Sequence, residues 1–252
     1  GVSGRGEIFK AGARVVKNVT GYDLPKLMTG SYGTFAALTS ITLKVLPKPE
    51  TEETIVLDGL DDAQAVAAMS LAMQSSCEVS GAAHVPGEAT YLRLEGIAPS
   101  VAYRRDALAK LLGRPIQILA ARSSMAKWRG IRDCALLADG FDRHVWRLSV
   151  TPSDAAAVIA ALKAQLDLRY YFDWAGGLIW LDVPPTDDAT SAIIRSALPT
   201  GHATLIRAPD HVRATVDVFQ PQEAALAALS ARVKTSFDSQ HLFNPGRMYR
   251  GV

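Results

Sequence analysis

The order of predicted strands and helices between Thr54 and Ala208 constrains the fold more than any other feature of this sequence. Alternating and β-branched runs predict strands, and apolar residues three and four positions apart predict helices. The first set comprises strands at Thr54–Gly59, Val79–Val85, Thr90–Glu95 and Ile116–Ala120, and helices at Asp61–Gln74 and Val101–Leu112. After a connecting helix at Met125–Leu137, the second set comprises strands at Val145–Val150, Arg169–Trp174, Leu178–Val183 and Thr204–Ala208, and helices at Ser153–Leu166 and Asp187–Ala197. The order β-α-β-β-α-β therefore occurs twice.

This repeated order predicts an α+β fold built from duplicated ferredoxin-like units. We expect the two units to join into one antiparallel sheet with the helices on one face, which leaves the other face free to cover a cofactor. Local signals support the helices, because Asp61 and Gln64 form a capping box and Ser153 is a suitable N-cap. Two helices have one apolar face each, formed by Ile159, Leu162 and Leu166 in one, and by Leu226, Leu229, Val233 and Phe237 in the last helix, which begins at Pro221.

A domain boundary is predicted near residue 48. Phe35–Val45 alternates and is rich in β-branched residues, which predicts a buried strand. The segment Pro47-Lys48-Pro49, followed by residues 50–53, is typical of a linker. We therefore predict one domain at residues 1–48 and a second at residues 49–252.

Composition and charge exclude several classes of function. The formal net charge is +2 for 252 residues, and no Lys/Arg cluster recurs along one face, so nucleic acid is not an expected partner. No apolar run approaches the roughly 20 residues that cross a bilayer, and neither a transmembrane segment nor a signal peptide is predicted. The cysteines, Cys77 and Cys134, form no C-x-x-C pair, which fits reduced thiols in a cytoplasmic protein.

Charged residues within predicted strands are the candidates for a substrate site. Arg147 lies in V-W-R-L-S-V, and His202 and Arg207 lie in G-H-A-T-L-I-R-A. Strict alternation would place His202 and Arg207 on opposite faces of their strand. A buried charge requires a partner, and for either arginine a substrate carboxylate or a salt bridge to Asp173 or Asp182 would serve.

The remaining candidates have less specific interpretations. Trp174 and Trp180, on either side of the Gly176-Gly177 turn, are interpreted as core or interface aromatics. No two histidines form an H-x-H or H-x-x-x-H pair, and no metal site is predicted. The five histidines are His84, His144, His202, His211 and His241.

Two glycine-containing motifs lie near the ends of the chain. The first is K-N-V-T-G-Y-D-L-P-K-L-M-T-G-S-Y-G-T at residues 17–34, whose glycines permit sharp turns or close approach to another group. The second is F-N-P-G-R-M-Y at residues 243–249. On its own, the first could be a tight turn fixed by Asn18 and Gly21, and the second a helix stop followed by a surface arginine.

Together these motifs resemble the vanillyl-alcohol-oxidase superfamily of FAD-linked oxidases. With W-R-L-S-V at residues 146–150 and D-W-A-G-G at residues 173–177, they resemble the E-subunit family of bacterial glycolate oxidases. The resemblance implies that residues 1–48 are the C-terminal part of a PCMH-type FAD-binding domain and residues 49–252 an FAD-linked oxidase C-terminal domain, which covers the substrate. It assigns FAD contacts to Lys17, Asn18, Thr20, Gly21, Tyr22, Gly30, Gly33, Thr34, Asn244 and Arg247. Tyr32 departs from the pattern, because the superfamily more often has glutamate there.

The resemblance further implies a flavoprotein subunit of a complex that oxidises glycolate to glyoxylate. Its partners would be a D flavin subunit and an iron–sulfur F subunit, in the cytoplasm or peripheral to the inner membrane. The α-hydrogen would pass as hydride to the flavin, an arginine such as Arg147 or Arg207 would hold the carboxylate, and His202 would take the hydroxyl proton.

Several alternatives stay open at the level of sequence. The H-x-G-D-G-N-x-H motif of the D subunits is absent, so a non-catalytic flavoprotein subunit serving assembly or electron relay is the main alternative. An unrelated ferredoxin-like binding module would bind no flavin. No glycine-rich pyrophosphate loop precedes Ala13, so we expect FAD to be lost from this chain. Glycolate and D-lactate differ by one methyl group, which the sequence does not distinguish.

Overall fold

The chain divides into two compact units in the computed structural model, which describes residues 1–13, 21–139 and 142–250. Unit 1 combines residues 1–46 with residues 221–252, and unit 2 spans residues 47–220. The first boundary lies close to the predicted one. The predicted second domain, residues 49–252, differs from this division because residues 221–252 pack with the N-terminal residues. Phe237, for example, contacts the rings of Phe9 and Phe35, and its carbonyl accepts a hydrogen bond from the amide of Gly4.

The elements of unit 1 are short, apart from one helix. They are β1 (Val2–Ser3), α1 (Leu24–Met28), β2 (Ala36–Ala37) and α8 (Ala224–Phe237). The predicted buried strand at Phe35–Val45 is wrong beyond β2, since Ile41, Leu43 and Val45 are exposed. Among the described residues of unit 1, only the two-residue β1 pairs with this segment, so an alternating sequence here has no sheet to join.

Helix α8 does not bury the apolar stripe that its sequence suggests. Leu226 and Leu229 are about half exposed, at 51% and 47%. Its one fully buried residue is Lys234. The predicted packing of the stripe is therefore wrong for Leu226 and Leu229, whereas Phe237 packs against Phe9 and Phe35. The fully buried position of the helix is occupied by the charged Lys234.

Unit 2 contains an eight-stranded antiparallel sheet. Its strands are β3 (Thr51–Leu57), β4 (Gly81–Val85), β5 (Ala89–Gly96), β6 (Gln117–Leu119), β7 (His144–Ser149), β8 (Arg169–Asp173), β9 (Leu178–Val183) and β10 (His202–Arg207). The order across the sheet is β10-β7-β9-β8-β4-β5-β3-β6. Read from its outer edge towards the centre of the sheet, each half has its fourth, first, third and second strand in turn. The halves meet between β4 and β8, where His84 lies opposite Phe172. The α+β class is confirmed, and duplication of a ferredoxin-like unit stays a prediction.

Six helices complete the described part of unit 2. They are α2 (Asp62–Met73), α3 (Ala98–Leu112), α4 (Ala121–Arg132), α5 (Ala155–Lys163), α6 (Ser191–Ser196) and α7 (Asp210–Thr215), of which α7 was not predicted. The capping box of α2 is confirmed, because Asp61 accepts from the Gln64 amide at 2.8 Å and Gln64 accepts from the Asp61 amide at 3.2 Å. The predicted Ser153 cap is wrong, because a 3₁₀ turn over Pro152–Asp154 leads into α5. No described helix is both long enough and apolar enough to span a bilayer.

The sheet buries apolar side chains on both faces. Ile55 and Leu57 of β3 belong to the larger cluster, which packs against α2, α3, α5 and α6. The intervening Val56 points to the other face, where α4 contributes Trp128 and Ile131 to a second cluster. We expected all helices on one face, and α4 is the exception. The second face is therefore covered over β3, β4 and β5 rather than left free.

A chain of buried hydrogen bonds anchors α4 to β3. The indole of Trp128 donates to the Thr54 hydroxyl at 2.8 Å, and the hydroxyls of Thr54 and Ser124 lie 2.7 Å apart. Ser124 in turn donates to the carboxylate of Glu52 at 2.6 Å. Because Thr54 and Ser124 are fully buried, every polar atom of this chain requires its partner. The geometry of these hydrogen bonds, together with apolar packing, therefore fixes the position of α4.

Candidate functional site

Unit 1 is held together by the fully buried Lys234. Its ammonium donates to the carbonyl oxygens of Thr34 at 2.6 Å and Phe243 at 2.8 Å, and to the Asp238 carboxylate at 2.6 Å. Three donors thus meet three acceptors. Burial alone would raise the pKa of Asp238, but hydrogen bonds from Lys234 and from the amides of Phe243 and Leu242 bring that pKa below its ordinary value. The hydrogen-bonding groups of Lys234 and Asp238 are thus satisfied within unit 1.

This cluster holds parts of the two sequence motifs side by side. The Asn244 amide donates to the carbonyl of Gly33 at 2.9 Å, across more than two hundred residues of sequence. Gly33 has a φ of 73°, and a Cβ there would lie 3.1 Å from the Asn244 amide nitrogen, so both backbone conformation and close approach favour glycine. Thr34 is buried, and its hydroxyl donates to the carbonyl of Ser31 at 2.8 Å.

The other predicted FAD contacts of unit 1 are more open. Nothing lies within 4 Å of a Cβ built on Gly21 or Gly30, Tyr22 is 93% exposed, and Arg247 is exposed. Lys17, Asn18 and Thr20 lie outside the described residues.

The described residues of unit 1 fit an FAD mainly through backbone. A cavity of about 440 Å³ lies beside the Gly33 turn and is lined by Ser31, Gly33, Phe243 and Asn244. Small residues and an amide suit the polar edge of a flavin. The Thr34 hydroxyl and the Asn244 amide are already engaged within unit 1, so their contact with a cofactor would require those hydrogen bonds to be exchanged.

Unit 2 contains a larger cavity, of about 710 Å³, at the face of the sheet that carries Arg147. Strand β7 contributes Arg147, and α4 contributes Trp128 to its wall. Three tryptophans line the cavity, together with apolar and charged side chains from β5, β8, β9 and α4. The lining that matters for chemistry consists of Arg93, Trp128, Arg147, Asp173, Trp174 and Trp180.

Arg147 is partly buried, and its guanidinium lies over the Trp174 ring at 5.3 Å from the centroid. The salt bridge to Asp182 that the sequence left open does not form. That buried carboxylate instead accepts from Arg143 at 2.7 Å and also pairs with Arg169. Among the described residues, Arg147 forms no ion pair with Asp173 either. A positive charge oriented by an indole is thus available in the cavity wall.

Asp173 and Trp174 form a strained corner beside Arg147. Trp174 and Ala175 have φ values of 51° and 55°, in the left-handed region that side-chain-bearing residues rarely adopt. The Asp173 carboxylate accepts from the Trp174 amide at 2.7 Å and helps to fix the corner. Burial raises the pKa of Asp173, against the opposing effects of that hydrogen bond and the Arg93 charge. Trp174 itself is 59% exposed, which excludes the core alternative and leaves the interface alternative for this residue as a prediction.

His202 lies on the same sheet face as Arg147 but outside the cavity lining. Strand β10 pairs with β7, with His202 opposite Ser149 and Thr204 opposite Arg147. Directly opposed residues in an antiparallel pair project to one face. His202 is exposed at the start of the edge strand. His202 therefore shares a sheet face with Arg147, but the structure does not place it in the cavity wall.

Arg207 also lies on this face, contrary to the expected alternation. The register of β10 shifts between Leu205 and Arg207, which places Arg207 opposite Val145. A β-bulge inserts one extra residue, so the residues after the bulge project to the opposite face from the one that alternation predicts. The prediction that His202 and Arg207 face opposite sides is therefore wrong. The Arg207 guanidinium donates to the carbonyl of Leu137 at 3.0 Å, away from the cavity lining.

Two other histidines have local structural contacts. The His84 ring lies 2.8 Å from the Thr90 hydroxyl and 3.6 Å from the Asp62 carboxylate, inside the core. His144 accepts from the Thr186 amide at 3.3 Å, and burial lowers its pKa. Within residues 1–13, 21–139 and 142–250, no group of three or more His, Cys, Asp or Glu side chains is arranged to hold a metal ion.

Comparison with known proteins supports the resemblance over almost the full chain. The chain is 32% identical over 248 residues, 98% of its length, to glycolate oxidase subunit GlcE of Escherichia coli K12. The chain is therefore GlcE-like over nearly all of its own length. No protein-family model matches it. It spans 63% of the length of the E. coli relative.

Shorter similarities connect the GlcE-like chain with two further proteins. It is 42% identical over 55 residues to glycolate oxidase subunit GlcD of Bacillus subtilis and 44% identical over 59 residues to a D-lactate dehydrogenase of Anaerostipes hadrus. These matches cover 22% and 23% of the chain, and 12% of each relative.

Sequence reasoning missed two residues that line the unit 2 cavity, Arg93 and Trp128. Arg93 lies over the Trp128 ring at 4.9 Å from the centroid, and it pairs with Glu95 at 3.1 Å. The signal that singled out Arg147, a charge between apolar strand residues, is also present at Arg93 in Y-L-R-L-E. Trp128 gave no such signal, because its role depends on α4 lying on the second face of the sheet.

Proposed function

We propose that this GlcE-like chain is part of the FAD-binding subunit of a complex that oxidises glycolate, a 2-hydroxy acid, to glyoxylate. One observation carries the proposal: Arg147 lies in a cavity wall, is oriented by Trp174, and forms no ion pair with another described residue. Such a guanidinium can hold a carboxylate through two parallel hydrogen bonds. Similarity to the E. coli glycolate oxidase subunit directs this chemistry towards glycolate.

FAD, when bound, would supply the acceptor for the α-hydrogen and its electron pair. Arg147 would bind the substrate carboxylate and fix the orientation of the carbon that carries the hydroxyl. The hydroxyl proton could pass to His202 or to Asp173, which lines the cavity with Arg147. The raised pKa of Asp173 makes it a stronger base than an ordinary aspartate. Arg207 is the weaker carboxylate ligand, because it already donates to Leu137.

The assembly and the cofactor contacts are part of the same proposal. The ten FAD contacts implied by the resemblance remain the proposed ones, with Gly33 and Asn244 lining the unit 1 cavity. The partners would be a D flavin subunit and an iron–sulfur F subunit, and the GlcE and GlcD similarities support a multi-subunit complex. We place the complex in the cytoplasm or at the periphery of the inner membrane.

The test uses the full-length subunit assembled with its partners. Arg147→Gln keeps a polar side chain but removes the charge, so we expect the KM for glycolate to rise at least tenfold, about 1.4 kcal/mol. Arg147→Lys should recover only part of this loss because it lacks the planar fork. Arg122→Gln, in an exposed residue of α4 outside the cavity lining, should leave KM unchanged. Equal KM values for Arg147→Gln and Arg122→Gln would remove Arg147 from the substrate site.

One observation favours the alternative, a non-catalytic subunit for assembly or electron relay. The proposed base His202 does not line the cavity with Arg147. Anaerobic flavin reduction by glycolate, measured with the isolated full-length subunit, separates the two functions. Reduction by the isolated subunit supports catalysis here, and reduction only after the D subunit is added supports the relay role.

A further inference from the structure

The unit 2 cavity is large for a two-carbon acid. Its volume is about 710 Å³, whereas pockets of about 300–1,000 Å³ typically enclose ligands of drug size. A substrate with no side chain would contact only a small part of this wall. The remainder of the cavity therefore requires a larger occupant if it is to contribute binding energy.

The walls of the cavity include aromatic and apolar side chains beside the charged ones. Trp128, Trp174 and Trp180 all line it, and Met73 and Leu178 add further apolar surface. Trp174 is more than half exposed, so the protein leaves part of an indole face uncovered. Indoles bind other rings through offset or edge-to-face contacts, which add to the energy of simple burial.

The charged groups of the cavity are not equivalent. Arg93 is engaged by Glu95 and by the Ser80 hydroxyl, and Arg132 pairs with Asp133 at 2.7 Å. Arg147 lies over the Trp174 ring and forms no ion pair among the described residues. Arg129 also lines the cavity and likewise forms no ion pair among the described residues. The cavity therefore has two available cations, and Arg147 is the one that a cavity indole orients.

We propose that this cavity binds 2-hydroxy acids with an aromatic side chain, with the carboxylate on Arg147 and the ring against the cavity indoles. The inference deepens the proposed function, on which it rests, by naming the substrate class. The charge of Arg147 alone would bind any small carboxylate. An aryl group in the ligand would in addition contact the rings of Trp174 and Trp180. Glycolate would bind the same arginine more weakly.

Isothermal titration calorimetry on the 252-residue chain tests this inference without flavin. The probes are 3-phenyllactate, glycolate, and 2-phenylethanol, which has the ring but no carboxylate. We expect 3-phenyllactate to bind at least tenfold more tightly than either of the other two. Arg147→Gln should weaken 3-phenyllactate at least tenfold, and Arg122→Gln should not. Trp180→Leu should weaken 3-phenyllactate by a larger factor than it weakens glycolate.

The outcomes separate this inference from the proposed function. Equal affinity for glycolate and 3-phenyllactate would overturn the aromatic class and leave glycolate oxidation standing. Absence of 3-phenyllactate binding by a chain with native circular dichroism would overturn the inference outright. Binding that is unaffected by Arg147→Gln would also overturn it, because the carboxylate would then lie elsewhere. Failure of the assembled complex to oxidise glycolate, with tight Arg147-dependent binding of 3-phenyllactate, would reject glycolate and support the aromatic class.

Discussion

Gly4 lies against the buried carboxylate of Asp238 and leaves no room for a side chain. A Cβ built on Gly4 would lie 2.1 Å from a carboxylate oxygen and 2.7 Å from the Asp238 Cα. Gly4→Ala must therefore displace backbone and disturb the Lys234 pair, and we expect it to cost about 2–3 kcal/mol of stability. Gly6→Ala is the matched control. Nothing lies near its Cβ, but its φ of 78° predicts a smaller cost of about 1 kcal/mol.

Urea denaturation followed by far-ultraviolet circular dichroism measures both glycine variants. If Gly4→Ala lowers the free energy of unfolding no more than Gly6→Ala does, the Asp238 carboxylate moves aside freely. The close approach would then have no structural consequence.

Asp173 makes stability depend on pH in a predictable direction. Its folded-state pKa lies above the ordinary value of 3.8 because of burial. The stability that its protonated form contributes is complete below pH 3.8 and is lost as pH rises through the folded pKa. Asp173→Asn keeps an oxygen for the Trp174 amide and removes the charge. The variant should have a higher denaturation midpoint than the wild type at pH 7, and the difference should disappear as pH falls below 3.8.

The comparison requires denaturation midpoints for both proteins across that pH range. A variant that is less stable at pH 7 would indicate that the ionised carboxylate is stabilised, contrary to the direction of its pKa. The prediction concerns folding only and does not depend on the proposed role of Asp173 as a base.

At the scale of elements, the buried Ser124 hydroxyl joins α4 to two residues of β3, Thr54 and Glu52. Ser124→Ala removes the acceptor for Thr54 and the donor to Glu52. We expect the free energy of unfolding to fall by about 1–3 kcal/mol, because the fully buried Thr54 hydroxyl loses the acceptor for its proton. Ser123→Ala changes an exposed neighbour on the same helix and should alter stability by less than about 0.5 kcal/mol. Tryptophan fluorescence during urea denaturation reports both, and similar values would mean that packing alone holds α4.

Local sequence predicted most elements of unit 2, because their signals are local. The Asp61 capping box and the apolar run of β9 depend on residues within one turn or one strand. The failures have longer-range causes. Phe35–Val45 has a strand pattern, yet the described residues of unit 1 offer it only two paired positions. The bulge near Leu205 reversed the expected face of Arg207, and no residue type marked it.

The candidate site was predictable only in part for the same reason. Arg147 was identified as a charge inside an apolar strand, and the structure places it in the cavity. Its neighbours Trp128 and Arg93 come from other elements. Their proximity to Arg147 depends on the strand order of the sheet and on the face against which α4 packs. The internal hydrogen bonds of Asn244 and Lys234 likewise join residues that are distant in sequence.

At the scale of the molecule, unit 2 has the contents of an independent domain. Its strands and helices enclose two apolar clusters drawn only from residues 47–220. We expect a protein of these residues alone to unfold cooperatively. All four tryptophans lie in unit 2, so their emission reports its folding selectively. An emission spectrum typical of solvent-exposed indoles would show that unit 2 requires unit 1.

The composition of unit 1 from two distant segments has a consequence for synthesis on the ribosome. Its first segment emerges before unit 2, and Lys234 and Asp238 follow only after about 190 further residues. At translation rates of about 5–20 residues per second, the first segment waits roughly 10–40 seconds for the second. During that interval Phe9 and Phe35 lack the ring of Phe237. The nascent chain should therefore be a client for chaperones that bind exposed aromatic segments, even while unit 2 is already folding.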